Sequence, residues 1–171
     1  LLLPVNVLGK DYISINYTQI SNSLTNEKKP SYSTFAVIGT EDNTTVEITP
    51  NTYLVNGEAP GKPFTVVLNK GQVYQGLADN DLTGTRIRTI STQAGTCKKV
   101  AVFSGSSKIL IGCITKNNTS DNLFQQVYPT ATWGKNYITV PLKSRYYDVF
   151  RIIKSDPNTT VNLNGHNITI L

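Results

Sequence analysis

Two parts of the chain repeat the same blocks of sequence in the same order. The offset between the copies, about 115–125 residues, is that of a domain-sized unit and not of a short solenoid repeat. The matched blocks are GKDYISI (9–15) with GKNYITV (134–140), FAVI (35–38) with FRII (150–153), DNTTVEI (42–48) with DPNTTVNL (156–163), and NG (56–57) with NG (164–165). The chain is therefore predicted to hold one full unit and the start of a second copy.

The repeated blocks and the segments between them carry the pattern of β-strands. Apolar and polar residues alternate, many of them Thr, Val, Ile and Tyr, and Gly, Asn, Asp or Pro separates the runs every 8–14 residues or so, a spacing typical of a sandwich or barrel. The second NG pair predicts a tight hairpin. The strands are predicted over residues 12–17, 34–39, 45–49, 64–68, 72–75, 85–90, 99–104, 108–112, 137–140, 148–153, 160–163 and 167–170. The predicted fold class is all-β, an antiparallel β-sandwich-like module.

The copies divide the chain into two predicted parts. Residues 1–127 form the first β-sandwich-like unit, and residues 128–171 form the opening strands of the second. A single helix of one or two turns is predicted over 120–127, where Asp121 can cap the first turn. The chain lacks an initiating Met, so we expect it to be a segment of a longer protein.

The charge pattern favours an ordinary soluble surface. The net charge is +5, and a basic excess is one signature of proteins that bind nucleic acid or other polyanions. The basic residues come in scattered pairs, Lys28-Lys29, Arg86 and Arg88, Lys98-Lys99, Lys143 and Arg145, and no run exceeds two. No apolar stretch approaches the length needed to cross a bilayer. We therefore expect no nucleic acid partner and no membrane insertion.

Two cysteines, Cys97 and Cys113, predict one disulfide bond. The stretch around Gly105 is expected to be a loose turn between the strands at 99–104 and 108–112. Because the cysteines flank that predicted hairpin, they would lie side by side. No C-x-x-C or Cys/His cluster is present, so no structural zinc site is expected.

Six N-glycosylation sequons are present, a high density for a chain of 171 residues. They favour passage through a eukaryotic secretory route, and in a bacterial protein they would carry no such meaning. The acceptor candidates are Asn16, Asn43, Asn117, Asn118, Asn158 and Asn167.

The residue types that catalysis requires are sparse. The single histidine, His166, follows the second NG pair and is expected to be exposed and inert. The run Ser104-Gly105-Ser106-Ser107 lacks the G-x-S-x-G pattern of a nucleophile elbow. No enzyme activity, cofactor or metal is predicted.

Three other polar or aromatic features have both a structural and a functional interpretation. Asp79-Asn80-Asp81 offers oxygens suited to Ca²⁺, and a plain turn is the preferred interpretation. Asp42 and Asp156 precede matching Thr-Thr-Val blocks, where a carboxylate can accept bonds from backbone N–H groups two residues on and shape the turn. Trp133 stands where the first copy has Leu8, which favours packing over stacking on a sugar.

Several motifs in combination resemble the N-terminal domain of the IgGFc-binding protein family. They are the stretch 36–50 with its TEDNTTV segment, DLTGTRI (81–87), VAVFSG (100–105), QVYP (126–129) and TWGKNY (132–137). The resemblance covers nearly all of residues 34–171. It implies a large secreted protein of mucus or cell surfaces, with mucin-like partners and, for the members that gave the family its name, the immunoglobulin Fc region. The chain departs from the family in its cysteine loop, because Ser106 and not a cysteine follows the VAVFSG strand.

Together these features predict a non-catalytic extracellular binding or structural module of a larger secreted mucus, matrix or cell-surface adhesive protein. Its expected partners are proteins or glycoproteins, among them mucin-like molecules or immunoglobulin Fc, and neighbouring repeat units of the same protein. A lectin-like carbohydrate-binding module is the alternative.

Overall fold

The computed structural model describes residues 2–17, 31–91, 97–109, 121–140, 142–144 and 148–168. The strands are β1 (Asp11–Ile13), β2 (Ser33–Gly39), β3 (Thr44–Thr49), β4 (Phe64–Leu68), β5 (Val73–Ala78), β6 (Arg86–Thr89), β7 (Val100–Ile109), β8 (Asp121–Gln126), β9 (Val161–Leu163) and β10 (His166–Ile168). Short 3₁₀ turns lie at Val5–Val7 and Thr130–Thr132. The predicted all-β class is confirmed.

The chain divides into two compact units, Leu1–Thr132 and Trp133–Leu171, called unit 1 and unit 2 below. The sequence placed the boundary between residues 127 and 128. Unit 1 includes the 3₁₀ turn at Thr130–Thr132, where the Thr130 hydroxyl donates to the carbonyl oxygen of Asp11 in β1, at 3.2 Å.

Unit 1 is a sandwich of two four-stranded antiparallel sheets. The first sheet has the order β5-β2-β7-β8, and the second has the order β1-β6-β3-β4. Strand β2 lies between β5 and β7, and β6 lies between β1 and β3. The early strands of the sequence therefore pair mostly with late ones.

Alternating apolar residues of both sheets meet in one core. Phe35 and Val37 of β2 face Val46 and Ile48 of β3, and all four are fully buried. Burial of a side chain of this size contributes about 1.5–3 kcal/mol. The ring of Phe35 lies over Gly76 of β5, where a Cβ would stand 2.3 Å from the ring. The remaining buried core residues are Tyr12, Leu54, Leu68, Ala78, Leu82, Ile87, Val100, Val102 and Val127.

The predicted turn at Gly105 is wrong, because β7 runs through it without a break. Ser104 and Ser106 lie on one face of β7, and their hydroxyls bond the main chain of residues 15 and 17. The Ser104 hydroxyl accepts from Ile15 N at 3.1 Å and donates to Ile15 O at 2.9 Å. The serines thus tie β7 to the segment that follows β1, a contact that local sequence does not reveal.

The predicted helix over 120–127 is also wrong, because residues 121–126 form edge strand β8. Phe124 pairs with Gly105 in the β7–β8 ladder, and its ring stacks on Phe103 at a centroid distance of 5.8 Å. Gly105 permits this approach, since a Cβ there would lie 1.7 Å from the Leu123 carbonyl oxygen. Tertiary pairing has overridden the local helical pattern.

Unit 2 contains one ladder among its described residues, the β9–β10 hairpin. Its turn is Asn164-Gly165, with φ of 50° and 88°, as the NG pair predicts. The strands predicted over 137–140 and 148–153 do not form. Their counterparts in unit 1 pair with β5, β6 and β7, and the described part of unit 2 holds no such partners.

A candidate binding groove on the second sheet

The outer face of the second sheet carries two arginines, each paired with a carboxylate. Alternation in β6 buries Ile87 and turns Arg86 and Arg88 outward. Arg86 donates through Nε and Nη2 to the two carboxylate oxygens of Asp11, both at 3.0 Å. Arg88 donates through Nε to Glu47 Oε1 at 2.7 Å. The pairs connect β6 to β1 on one side and to β3 on the other.

Both guanidinium groups remain accessible to a partner. The Arg86 and Arg88 side chains are 51% and 47% exposed. The hydrogen bonds that Arg86 donates to Asp11 raise the pKa of Arg86 above its ordinary value, so the group stays charged throughout the physiological range. Exposed ion pairs of this kind contribute little to stability, about 0–1 kcal/mol. The two guanidinium groups are therefore available to bind a partner.

Loops at the end of the sheet complete an open groove of about 590 Å³ beside the arginines. Asn51 holds these loops together: its Nδ2 donates to Thr83 O at 2.6 Å and its Oδ1 accepts from the Thr85 hydroxyl at 3.1 Å. Gly84, with φ of 97°, makes the turn into β6. The groove is lined by Glu47, Thr49, Pro50, Asn51, Gly61, Pro63, Gly84, Arg86 and Arg88, and it is called the arginine groove below.

The positive and negative charges in and beside the groove are balanced. Glu47, in the groove lining, offsets the charge of Arg88, and Asp11, which pairs with Arg86 outside the lining, offsets the charge of Arg86. Planar guanidinium groups present N–H donors to carbonyl and carboxylate oxygens, and Pro50 and Pro63 provide apolar surface. The sequence marked Arg86 and Arg88 only as one of several scattered basic pairs. The period-2 alternation of β6 was the signal that both side chains share the outer face.

The predicted disulfide stays a prediction. Cys97 is half-buried and forms no disulfide among the described residues, and Cys113 lies outside them. The hairpin argument for the bridge no longer holds, because β7 separates the two cysteines as one extended strand of ten residues. A strand of that length spans roughly 30 Å.

The sequons differ in accessibility. Asn43, Asn158 and Asn167 are exposed, while Asn117 and Asn118 lie outside the described residues. Asn16 is 1% exposed, and its Nδ2, the atom that would carry a glycan, donates to the carbonyl oxygens of Thr34 and Gly105. Glycosylation at Asn16 stays a prediction. The geometry argues against it, because a glycan on Nδ2 would displace both hydrogen bonds.

The predicted turn residues are placed as follows. Residues 79 and 80 form a bend, and Asp81 accepts from Thr83 N at 2.9 Å, so its side chain shapes the turn that follows. Asp156 accepts from Asn158 N at 2.8 Å, two residues on, as predicted. Asp42 differs from this prediction, because its carboxylate accepts from the N–H of Lys70, in the β4–β5 connection, at 3.0 Å.

The remaining candidates are not among the residues that line the arginine groove. His166 is exposed at the start of β10, as predicted. Trp133 is half-buried, whereas its counterpart Leu8 is buried. No group of three or more His, Cys, Asp or Glu in the described ranges is placed to hold a metal ion.

Comparison with known proteins identifies the family. The whole chain, residues 1–171, matches the profile of the family described as IgGFc binding protein. The chain belongs to the IgGFc-binding protein family. It is 29% identical over 170 residues to the human IgGFc-binding protein, an alignment that covers 96% of this chain and 3% of the human protein. No solved structure matches the fold.

Membership in the IgGFc-binding protein family places the chain among proteins named for binding and not for catalysis. Among the residues that the structure describes, no helix has the length and apolar character that a bilayer crossing demands.

Proposed function

We propose that this chain is a non-catalytic extracellular binding module of a larger secreted mucus, matrix or cell-surface adhesive protein. It binds proteins or glycoproteins, with mucin-like molecules and immunoglobulin Fc as the leading partners. The observation that carries the proposal is the arginine groove, in which two half-exposed guanidinium groups lie on the outer face of a four-stranded sheet, in a chain from the IgGFc-binding protein family.

The geometry supports protein recognition in two ways. Arginine is enriched in the contacts that dominate protein interfaces, because one side chain combines a planar apolar surface with several donors. Strands β1, β3 and β6 fix the positions of both arginines, so little conformational entropy is lost when a partner binds. The exposed sequons, Asn43, Asn158 and Asn167, support a secretory route.

The test is binding of the full chain to immobilised Fc, mucin glycoprotein and matrix proteins. Replacing both arginines, as Arg86→Ala with Arg88→Ala, is expected to weaken binding at least about tenfold, since arginine truncation at an interface typically costs more than 1 kcal/mol. Lys70→Ala is the matched control, because Lys70 is an exposed cation on the β4–β5 connection, outside the groove lining. Circular dichroism checks that each variant is folded.

Two results would contradict this proposal: no binding of the wild-type chain to any of the three polymers, or equal binding by the double variant and Lys70→Ala. The lectin-like alternative predicts instead that binding survives on a protein-free glycan array. The lining of the arginine groove contains no aromatic ring on which a sugar could stack.

A further inference from the structure

The ladders of the first sheet define which of its side chains point away from the core. Phe35 and Val37 of β2 face inward, so the even-numbered residues of β2 point outward. Residues directly opposite each other in an antiparallel ladder point to the same side of the sheet. The outward side chains are therefore the even residues of 34–38 and 124–126 and the odd residues of 73–77 and 101–105. None of them is charged, and this surface is called the uncharged face below.

The two outer faces of unit 1 differ in their chemistry. The second sheet presents two arginines and their two carboxylates on its outer face. An antiparallel sheet with one face in water usually alternates apolar and polar residues, whereas strands covered on both faces are near-continuous apolar runs. The runs FAVI (35–38) in β2 and VAVF (100–103) in β7 are of the second kind. The first sheet therefore has the sequence of a sheet that is covered on both sides.

The uncharged face has a ridge beside a shallow depression. Phe124 of β8 is 45% exposed, and its ring stacks on Phe103 of β7 to form the ridge. Ala36 of β2 stands directly opposite Phe103 in the β2–β7 ladder, and its side chain is only a methyl group. At the far edge of the sheet, Val73 of β5 is 56% exposed. The ladder and the ring contact place all four residues on one continuous surface.

We infer that the uncharged face is a self-association site, on which a second molecule of this chain packs with the same face. The strand order β5-β2-β7-β8 puts the centre of the face between β2 and β7. A two-fold axis along the strands at that point places β2 of one molecule over β7 of the other, and β5 over β8. Sheets that pack face to face in this way bury both inner surfaces at a spacing of about 10 Å.

The two-fold arrangement brings large side chains onto small or apolar ones. Phe103 and Ala36 lie in the same row of the sheet, so Phe103 of each molecule covers Ala36 of the other. Leu77 and Phe124 stand at the two ends of the neighbouring row, so Phe124 packs against Leu77 of the other molecule. A two-fold axis across the strands would instead set Phe103 against Phe103, ridge against ridge. The face is self-complementary about the first axis, and each contact occurs twice.

The absence of charge favours a second molecule over a charged partner. A partner that placed a charged side chain on the uncharged face would bury it without a counter-charge, which is costly. The same face of a second molecule brings no charge. The arginine grooves lie on the second sheets, at the outer sides of such a dimer, so self-association leaves both of them open.

The size of the uncharged face sets the strength of the contact. Four strands about 4.8 Å apart, each about five residues long at 3.3 Å per residue, give a flat area of roughly 300–400 Å² per molecule. Stable interfaces bury about 800 Å² per partner, and smaller ones belong to weak, transient complexes. We therefore expect a reversible dimer that forms only at high protein concentration.

The experiment is sedimentation velocity of the full chain from micromolar to millimolar concentration, in a reducing buffer that prevents cysteine cross-links. The average mass is expected to rise with concentration from that of the monomer toward that of the dimer. In the same concentration series, ¹⁵N NMR should show amide shifts that change in residues 34–38, 73–77, 101–105 and 124–126. Changes confined to other residues would overturn the inference, because association would then use another surface.

Two valines on edge strands provide a matched pair of variants. Val73→Asp places a charge on the uncharged face at a residue that is 56% exposed, and it should weaken association at least about tenfold. Val67→Asp places the same charge on β4, on the outer face of the second sheet, at a residue that is 61% exposed. That variant should associate like the wild-type chain. Equal effects of the two substitutions would reject the uncharged face as the site, and circular dichroism checks that both variants are folded.

A charge exchange tests the two-fold axis itself. Leu77→Asp and Phe124→Lys should each abolish self-association. An equimolar mixture of the two variants should recover a heterodimer, because the new carboxylate and the new ammonium group face each other across the interface. A mixture that stays monomeric while both variants are folded would overturn the arrangement.

Two further results would overturn the inference. One is a wild-type chain that remains monomeric at millimolar concentration. The other is a monomer that sediments with phosphatidylcholine vesicles and loses this binding in Val73→Asp, which would assign the uncharged face to a lipid surface.

Discussion

Units 1 and 2 contain the same sequence blocks and differ in whether those blocks have partners. In unit 1 the blocks at 9–15, 35–38 and 42–48 become β1, β2 and β3, because β5, β6 and β7 return to pair with them. In unit 2 the first two blocks form no ladder, and the third pairs only with the segment that directly follows it. The alternation of polar and apolar residues therefore allows a segment to form a strand, and whether the strand forms depends on a partner strand.

Truncation of the matched phenylalanines should give the largest difference in stability between the two units. Phe35→Ala removes a fully buried ring, and we expect unit 1 to lose about 3–5 kcal/mol of stability. Phe150→Ala removes the matched ring, 55% exposed, and the expected change is within about 0.5 kcal/mol. Urea unfolding followed by far-ultraviolet circular dichroism measures both. Similar losses in the two variants would show that unit 2 is packed like unit 1.

A smaller difference is expected for the matched tyrosine hydroxyls. Burial raises the pKa of Tyr12, although the hydrogen bond from Gly9 N opposes the effect, so the hydroxyl stays protonated and donates to Val100 O. Tyr12→Phe leaves both partners of the hydroxyl unpaired, at a cost of about 1–3 kcal/mol. Tyr137→Phe loses only a bond at an exposed residue and should change stability by less than about 0.5 kcal/mol. Equal effects in the same urea experiment would contradict the comparison.

The smallest effect concerns the acidic residues that the second copy lacks. Asp11→Asn removes the ion pair with Arg86 and should lower the stability of unit 1 by less than about 1 kcal/mol at low salt. The difference should vanish in 1 M salt, where exposed charges are screened. Asn136→Asp, the reverse change in unit 2, lies at a residue with no ladder partner in the described part of that unit and should leave stability unchanged at both salt concentrations. A salt-dependent gain in that variant would argue for a basic partner inside unit 2.

Particular residues show where prediction from sequence succeeds and where it stops. The hairpin at Asn164-Gly165 and the Asp156 turn follow from local backbone preferences, so both were predictable. The sequence predicted a helix where strand β8 forms, because the strand depends on pairing with β7. Gly105 of β7 leaves room for Phe124 of β8, and this contact is not visible in the local sequence. The arginine groove was missed for the same reason: Arg86 and Arg88 find their carboxylates on β1 and β3, far away in sequence.

By itself the sequence determined the all-β class, the repeated blocks and the turns at Asn164-Gly165 and Asp156, because period-2 alternation and Gly, Asn and Asp turn chemistry are local properties. Only the tertiary structure decided which blocks pair, that Ser104 and Ser106 bond a neighbouring chain segment, and that two arginines share one groove. Pairing between strands depends on which segments meet in space. The tyrosine of the same motif is therefore buried in unit 1, as Tyr12, and exposed in unit 2, as Tyr137.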